Sequence, residues 1–237
     1  MTKVLLSLLL FVGLAVGCSR KDGGVKTDTF FVDWLKAHGE TNIVSDRHGV
    51  GIAGNATRLK ASVYHVKKEE KADGYTAEME FRVQLPSNDE IVEFVIGMGK
   101  TREEATKDSM MNFMLTTFHV VYRSFMNPAD THQKVHEVTI SGAKREMMMG
   151  DIFVRGSQEQ LDFEEVRAQI RTNICELPLS RRPHWIKIVG GMVPGKPMFL
   201  SAAVDNQEHE NLTAALKPVQ WPVSGHGYMV KEFIVVK

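Results

Sequence analysis

TREEATKDSMMNFMLTTFHVVYRSFM, residues 101–126, is the stretch that decides how this chain is read. Thr101 followed three positions later by Glu104 is a capping box, in which each side chain satisfies a backbone N–H that the first turn leaves unpaired. Glu103 and Glu104 also place negative charge at the end of the helix dipole that favours it. Ala105, Met111, Met114, Leu115, Phe118, Val121, Tyr122 and Phe125 recur at spacings of three and four, which predicts one broad apolar helix face. Beyond Asn112 nearly every turn is apolar on more than one side, the pattern of a helix covered by sheets. Asn127-Pro128 ends it.

Three strands precede this helix. Leu59 to Val66 is apolar on one face, and Tyr75 to Leu85 alternates Met79, Phe81, Val83 and Leu85 with polar residues. Ile91 to Met98 is apolar on both faces, which predicts a central position in a sheet. The turns KKEEKADG and PSND between the three predict an antiparallel meander. Upstream, FFVDWLKAH (residues 30–38) reads as a short helix stopped by Gly39, and Ile43 to Ala53 as a glycine-broken hairpin.

Downstream, Lys134 to Ile140 and Lys144 to Phe153 form a hairpin turning at Ser141-Gly142. A second helix runs from Leu161 to Leu177. His184 to Val189 and Phe199 to Val204 are strands joined by a Gly/Pro loop, Asn206 to Leu216 is a short helix, and Tyr228 to Val236 is a strand apolar enough for the inside of a sheet. Strands grouped around helices without βαβ alternation give an α+β fold, antiparallel sheets on a long central helix. Two similar sheet-plus-helix halves fit this order, with a subdivision near residues 127–133.

The N-terminus carries a different signal. Lys3 is followed by the apolar run Val4 to Ala15, a signal-peptide length rather than a membrane span, and then by LAVGC ending at Cys18. This resembles the lipobox of bacterial lipoproteins, with Ala15 where leucine is usual. The resemblance implies a leader over 1–17 and acylation of Cys18 as the new N-terminus and membrane anchor. It also implies a tether over 18–29 and a globular domain over 30–237. Ser19 after the cysteine implies the outer membrane, facing the periplasm, if the source is Gram-negative. The other reading is an ordinary secretory signal with Cys18 free. With Cys18 acylated, Cys175 has no disulfide partner and reads as a buried, inert thiol.

Composition narrows the function classes. The 237 residues hold 29 Lys+Arg against 29 Asp+Glu, so no basic field exists to attract nucleic acid. No P-loop, G-x-S-x-G, H-E-x-x-H or C-x-x-C occurs. His132 and His136 are spaced for a metal only on a helix, and they fall at a loop–strand junction. Met147, Met148 and Met149 alternate along a strand and cannot converge on copper, while Met110, Met111 and Met114 read as core. No metal and no cofactor are expected. The loops at Gly190 to Pro197 and Ser224 to Gly227 are glycine-rich and roomy, fit for binding or equally for plain hairpin connections.

Gly99, Glu103-Glu104-Ala105, Asn112-Phe113 and Phe118-His119 resemble a bacterial domain family of unknown function. Gly142, Gly150, Arg155-Gly156, Leu177-Pro178, His184-Trp185, Asp205-Asn206 and Trp221-Pro222 carry the same likeness. The similarity runs from about Phe30 to the C-terminus. It implies a fold and supplies no activity, and the leader departs from the family's usual form.

The leading functional expectation is a membrane-anchored module that binds another protein, concretely an immunity-type lipoprotein meeting an incoming toxin. The alternative is a binder of a small molecule or envelope polymer, in a pocket between sheet and helix near His119, with His184 and Trp185 as candidates for its wall. The plainer reading of the residues makes His119 a hydrogen-bonded core histidine and Trp185 a core residue, with His184 on the opposite face. A hydrolase ranks third, requiring a nucleophile gathered with His119 or His184.

Overall fold

The computed structural model describes residues 27–126, 134–194 and 196–237. The leader, Cys18, most of the tether, Asn127-Pro128, His132 and the expected subdivision at 127–133 lie outside the described residues.

The N-terminal half begins with α1 (Thr27–Ala37) and the hairpin β1 (Ile43–Asp46) and β2 (Gly49–Ile52). The expected meander follows as β3 (Lys60–Lys71), β4 (Gly74–Gln84) and β5 (Glu90–Gly99), antiparallel and in that order across the sheet. The long helix is α2 (Arg102–Phe113), a π-helical turn (Met114–Phe118) and α3 (His119–Met126). Its capping box forms as read. Glu104 N–H donates to Thr101 Oγ1 at 3.1 Å, and Glu104 Oε2 accepts from Thr101 N–H at 3.2 Å.

The C-terminal half comprises β6 (Lys134–Ile140), β7 (Ala143–Met149), β8 (Phe153–Arg155), α4 (Glu164–Cys175), β9 (His184–Val193), β10 (Lys196–Val204), β11 (Gln207–Glu208), α5 (Glu210–Leu216) and β12 (Tyr228–Val236). These strands make one antiparallel sheet in the order β11-β10-β9-β12-β7-β6, with β8 also paired to β12. β12 is interior, as its apolar run requires. The β6–β7 hairpin turns at Ser141 and Gly142, both at positive φ.

The layers follow from which faces are apolar. The long helix lies between the two sheets: Phe113 stacks on Phe81 of β4 at 4.0 Å, and Phe118 stacks on Phe31 of α1 at 5.0 Å. Trp185 of β9 and Phe233 and Val235 of β12 close the same core from the other side. The reverse face of the large sheet, including Ile186, Ile188 and Ile234, packs beneath Val166, Ile170 and Ile174 of α4 and Leu212 and Leu216 of α5. At the start of the long helix the approach to β5 is very close. A Cβ on Gly97 would fall 2.1 Å from Ala105 O and 2.2 Å from Ser109 N, so only glycine fits there.

Three expectations are corrected. Ile91 to Met98 is not central: β5 is an edge strand, and Phe94, Ile96 and Met98 are 67%, 50% and 55% exposed. The apolarity of its outer face has a different cause, described below. The segment from Gly190 to Pro197 is mostly the paired end of the β9–β10 hairpin rather than a roomy loop. Finally, the long helix is not uniformly α-helical. A π turn interrupts it at Met114–Phe118, and Met111 and Leu115 of the expected apolar face are exposed while Phe113, Met114 and Phe118 stay buried.

Candidate functional site: an apolar groove beside strand β5

Between the outer edge of β5 and the large sheet runs a groove of about 380 Å3. Phe94, Ile96 and Met98 of β5 form one wall, and Val189 of β9, Met229 of β12 and Phe153 of β8 form the other. Asn112 and Thr116, on the helix before and within the π turn, also line it. Alternation along β5 explains the wall: Ile91, Val95 and Gly97 point into the core, which turns Phe94, Ile96 and Met98 outward.

The base of the groove is charged. Glu93 is 1% exposed and pairs with Lys231 of β12, while Lys187 Nζ of β9 lies 3.4 Å from Glu93 Oε2. Burial pushes the Lys231 ammonium below the usual lysine range, and the Glu93 carboxylate opposes that shift. Two ammonium groups thus share one carboxylate, leaving one positive charge in excess, with the Lys187 side chain 25% exposed. Arg155, also on the groove, is neutralised by Asp108 at 2.7 Å.

The edge of β5 along this groove is furnished with side-chain partners. Asn206, at the corner between β10 and β11, accepts from Val92 N–H at 3.0 Å and donates to Glu90 O at 2.9 Å. Asp108 accepts from Met98 N–H at 2.7 Å, and Asn112 donates to Ile96 O at 3.2 Å. Asn206 also accepts from Trp185 Nε1 at 3.2 Å, so one amide ties both sheets together.

None of the three residues expected near a pocket lines this groove. His119 accepts from Arg123 Nε at 2.7 Å and meets the Trp34 ring edge-on, and Arg123 pairs with the buried Glu40 at 2.8 Å. The neighbouring Tyr122 hydroxyl is pushed up to about 12 by burial and by the Glu40 charge. Glu40, His119 and Arg123 thus partner one another in an ionic cluster at the α1–α3 junction. Trp185 is a core residue, 5% exposed. His184, its neighbour on β9, points to the opposite face and is 6% exposed. Its Nδ1 lies 2.7 Å from Asp205 Oδ2 and its Nε2 2.9 Å from Ser180 Oγ. His119 and His184 therefore sit in separate clusters.

The remaining sequence candidates fall as follows. Met147 and Met149 are in the core beneath α4, and Met111 accepts a hydrogen bond from Trp34 Nε1 at 3.0 Å. Cys175 is half-buried, with its thiol pushed up by burial. His136 packs against Arg171 at 3.2 Å and is pushed down by burial and by that cation. The Ser224 to Gly227 loop is held by Glu159, which accepts from Gly225 N–H at 3.1 Å. Among the described residues, no group of three or more His, Cys, Asp or Glu side chains is placed to hold a metal ion.

Sequence reading missed Glu93, Lys187 and Lys231 because three different strands contribute them. The one signal available was Glu93 itself, a carboxylate at an inward position of β5. A Family of unknown function (DUF6348) model matches residues 37–237, and the chain belongs to that family. No curated relative and no solved structure matches it.

Proposed function

We propose that this member of the DUF6348 family is a binding protein whose β5 groove takes an amphipathic anion, an acyl chain or similar apolar body bearing a carboxylate or phosphate. The observation that carries the reading is the concave apolar groove, about 380 Å3, over a Lys187–Glu93–Lys231 base with one positive charge in excess. Its size and largely apolar lining are those of small-molecule sites, with a few polar groups fixing orientation. An anionic head near Lys187 would balance the base, and the tail would cover Phe94, Ile96 and Met98.

The proposal includes the anchor. An acylated Cys18 would hold the groove at an envelope membrane, a setting where amphipathic anions abound; the LAVGC sequence supports this. Incorporation of labelled palmitate, lost in Cys18→Ser, tests it.

Titration of the purified domain with a fluorescent long-chain fatty acid tests the groove. Ile96→Glu and Lys187→Gln should each weaken binding by about tenfold or more, equivalent to about 1.4 kcal/mol. A corresponding long-chain alcohol should bind less well than the acid. Unchanged affinity in both variants would remove the groove from the reading.

A second reading, docking of a protein partner such as an immunity target, is favoured by one observation: Phe94, Ile96 and Met98 stay at least half exposed. In-cell crosslinking that captures one stoichiometric protein through β5, and no ligand binding in the titration, would select it.

A further inference from the structure

We infer that Ser180, His184 and Asp205 form a nucleophilic triad able to cleave esters, at a site apart from the groove. His184 and Lys187 point to opposite faces of β9, so the two sites do not share a chamber. The atoms are arranged as acyl transfer needs. Asp205 Oδ2, 2.7 Å from His184 Nδ1, accepts that proton and holds the imidazole in one tautomer. His184 Nε2 is thereby the acceptor facing Ser180 Oγ at 2.9 Å. Ser180 is exposed to solvent, where a substrate can reach it, whereas the Asp205 side chain is 16% and the His184 side chain 7% exposed.

The surroundings fix this geometry. Asp205 Oδ1 accepts from Trp185 N–H at 3.1 Å, and Arg182 donates to Asp205 Oδ2 at 2.6 Å. The loop carrying Ser180 is pinned by the buried Arg145, whose guanidinium donates to Ser180 O at 2.5 Å, Arg182 O at 2.6 Å and Lys237 O at 2.8 Å. The positive charges of Arg145 and Arg182 beside this loop favour an anionic substrate. The substrate class is an accessible carboxylic ester, preferably anionic.

The reaction runs in two halves. Ser180 Oγ bonds to the ester carbonyl carbon while its proton passes to His184 Nε2. The C–O bond to the alcohol then breaks, the alcohol leaving with that proton to give acyl-Ser180. Water loses a proton to Nε2 and adds to the acyl carbon. The carboxylic acid departs as Ser180 recovers its proton.

The test is labelling of the full-length protein with a fluorophosphonate, which phosphonylates an activated serine with loss of fluoride. One adduct per chain is expected, mapped to Ser180 by mass spectrometry and absent in Ser180→Ala. The substituted position is on the surface, so that variant should fold normally by circular dichroism. Labelling should be slower in acid than near neutrality, as for any serine that relies on an imidazole base. His184→Gln or Asp205→Asn should slow it by about 100-fold or more. Asp205, a positioning residue, should also alter the pH profile when changed. No adduct under conditions that label a known serine hydrolase, or an adduct that persists in Ser180→Ala, overturns the inference. If the histidine and aspartate variants fail to fold, the alanine variant and the wild-type pH profile still decide it.

Discussion

Replacing Glu93 by glutamine should be among the most damaging single changes in this protein, and its cost should depend on pH. Glu93 is 1% exposed, and the Lys231 side chain that pairs with it is 12% exposed. The substitution keeps the volume and removes the charge, so Lys231 and Lys187 lose their shared anion in a site with little water. Removing one partner of a buried ion pair costs about 3–5 kcal/mol, because the remaining charge stays desolvated. For a chain of this size that corresponds to a fall in Tm of about 6–20 °C. The sign of the pH dependence follows from Lys231, already pushed below the usual lysine value of 10.5 by burial. Without Glu93 it falls further, so across the interval up to 10.5 the unfolded chain binds more protons than the folded one. Stability of the variant should therefore rise with pH, and the deficit against wild type should be greatest near neutrality and shrink in alkali. Urea unfolding followed by tryptophan fluorescence, repeated across that interval, measures it. A loss under about 1 kcal/mol at neutral pH, the scale of a surface pair, would refute the argument that the base is desolvated.

Other buried groups and close contacts carry expectations of their own. Burial pushes Glu232 up to about 8, Arg167 opposing the shift, so the folded state binds the extra proton and wild-type stability should fall as pH rises from 4.5 to 8. Glu232→Gln should flatten that decline and be the more stable protein at pH 8, by up to a few kcal/mol in paired unfolding curves. Gly97→Ala drives a methyl into Ala105 O at 2.1 Å and should cost about 3 kcal/mol or more, or prevent folding, as judged by thermal melts. Asn206→Gly keeps the positive φ of 65° at that corner and deletes the hydrogen bonds to Glu90, Val92 and Trp185. A loss of about 2–4 kcal/mol is expected, with faster amide exchange at Val92 than at its neighbours on β4.

The long helix was legible because its start is written locally, in Thr101 and Glu104, and its coverage in apolar residues on more than one side. Its π turn was not, since no residue type demands one and no local spacing marks Met114–Phe118. β5 was misplaced for an instructive reason. Phe94, Ile96 and Met98 look the same in sequence whether a second sheet buries them or a groove displays them, and only the neighbours decide. His119 shows the converse case: a polar residue in an apolar helix invites a site, yet Glu40 and Arg123, distant and near in sequence, satisfy it internally. Ser180, His184 and Asp205 had no local signature at all. A loop, a strand and a turn converge there because Arg145 and the β9–β10 hairpin place them.

The side-chain hydrogen bonds along β5 bear on how this protein behaves when crowded. Strands at the rim of a sheet invite a further strand from another molecule through their open backbone groups, and an apolar rim strand invites it most. Here Asn206, Asp108 and Asn112 already hold Glu90 O, Val92 N–H, Met98 N–H and Ile96 O. Phe94, Ile96 and Met98 can therefore remain sticky sideways while the backbone beside them offers few free positions for fibre-like growth. A protein concentrated on a surface can display such residues to a visitor and still resist stacking on its own copies.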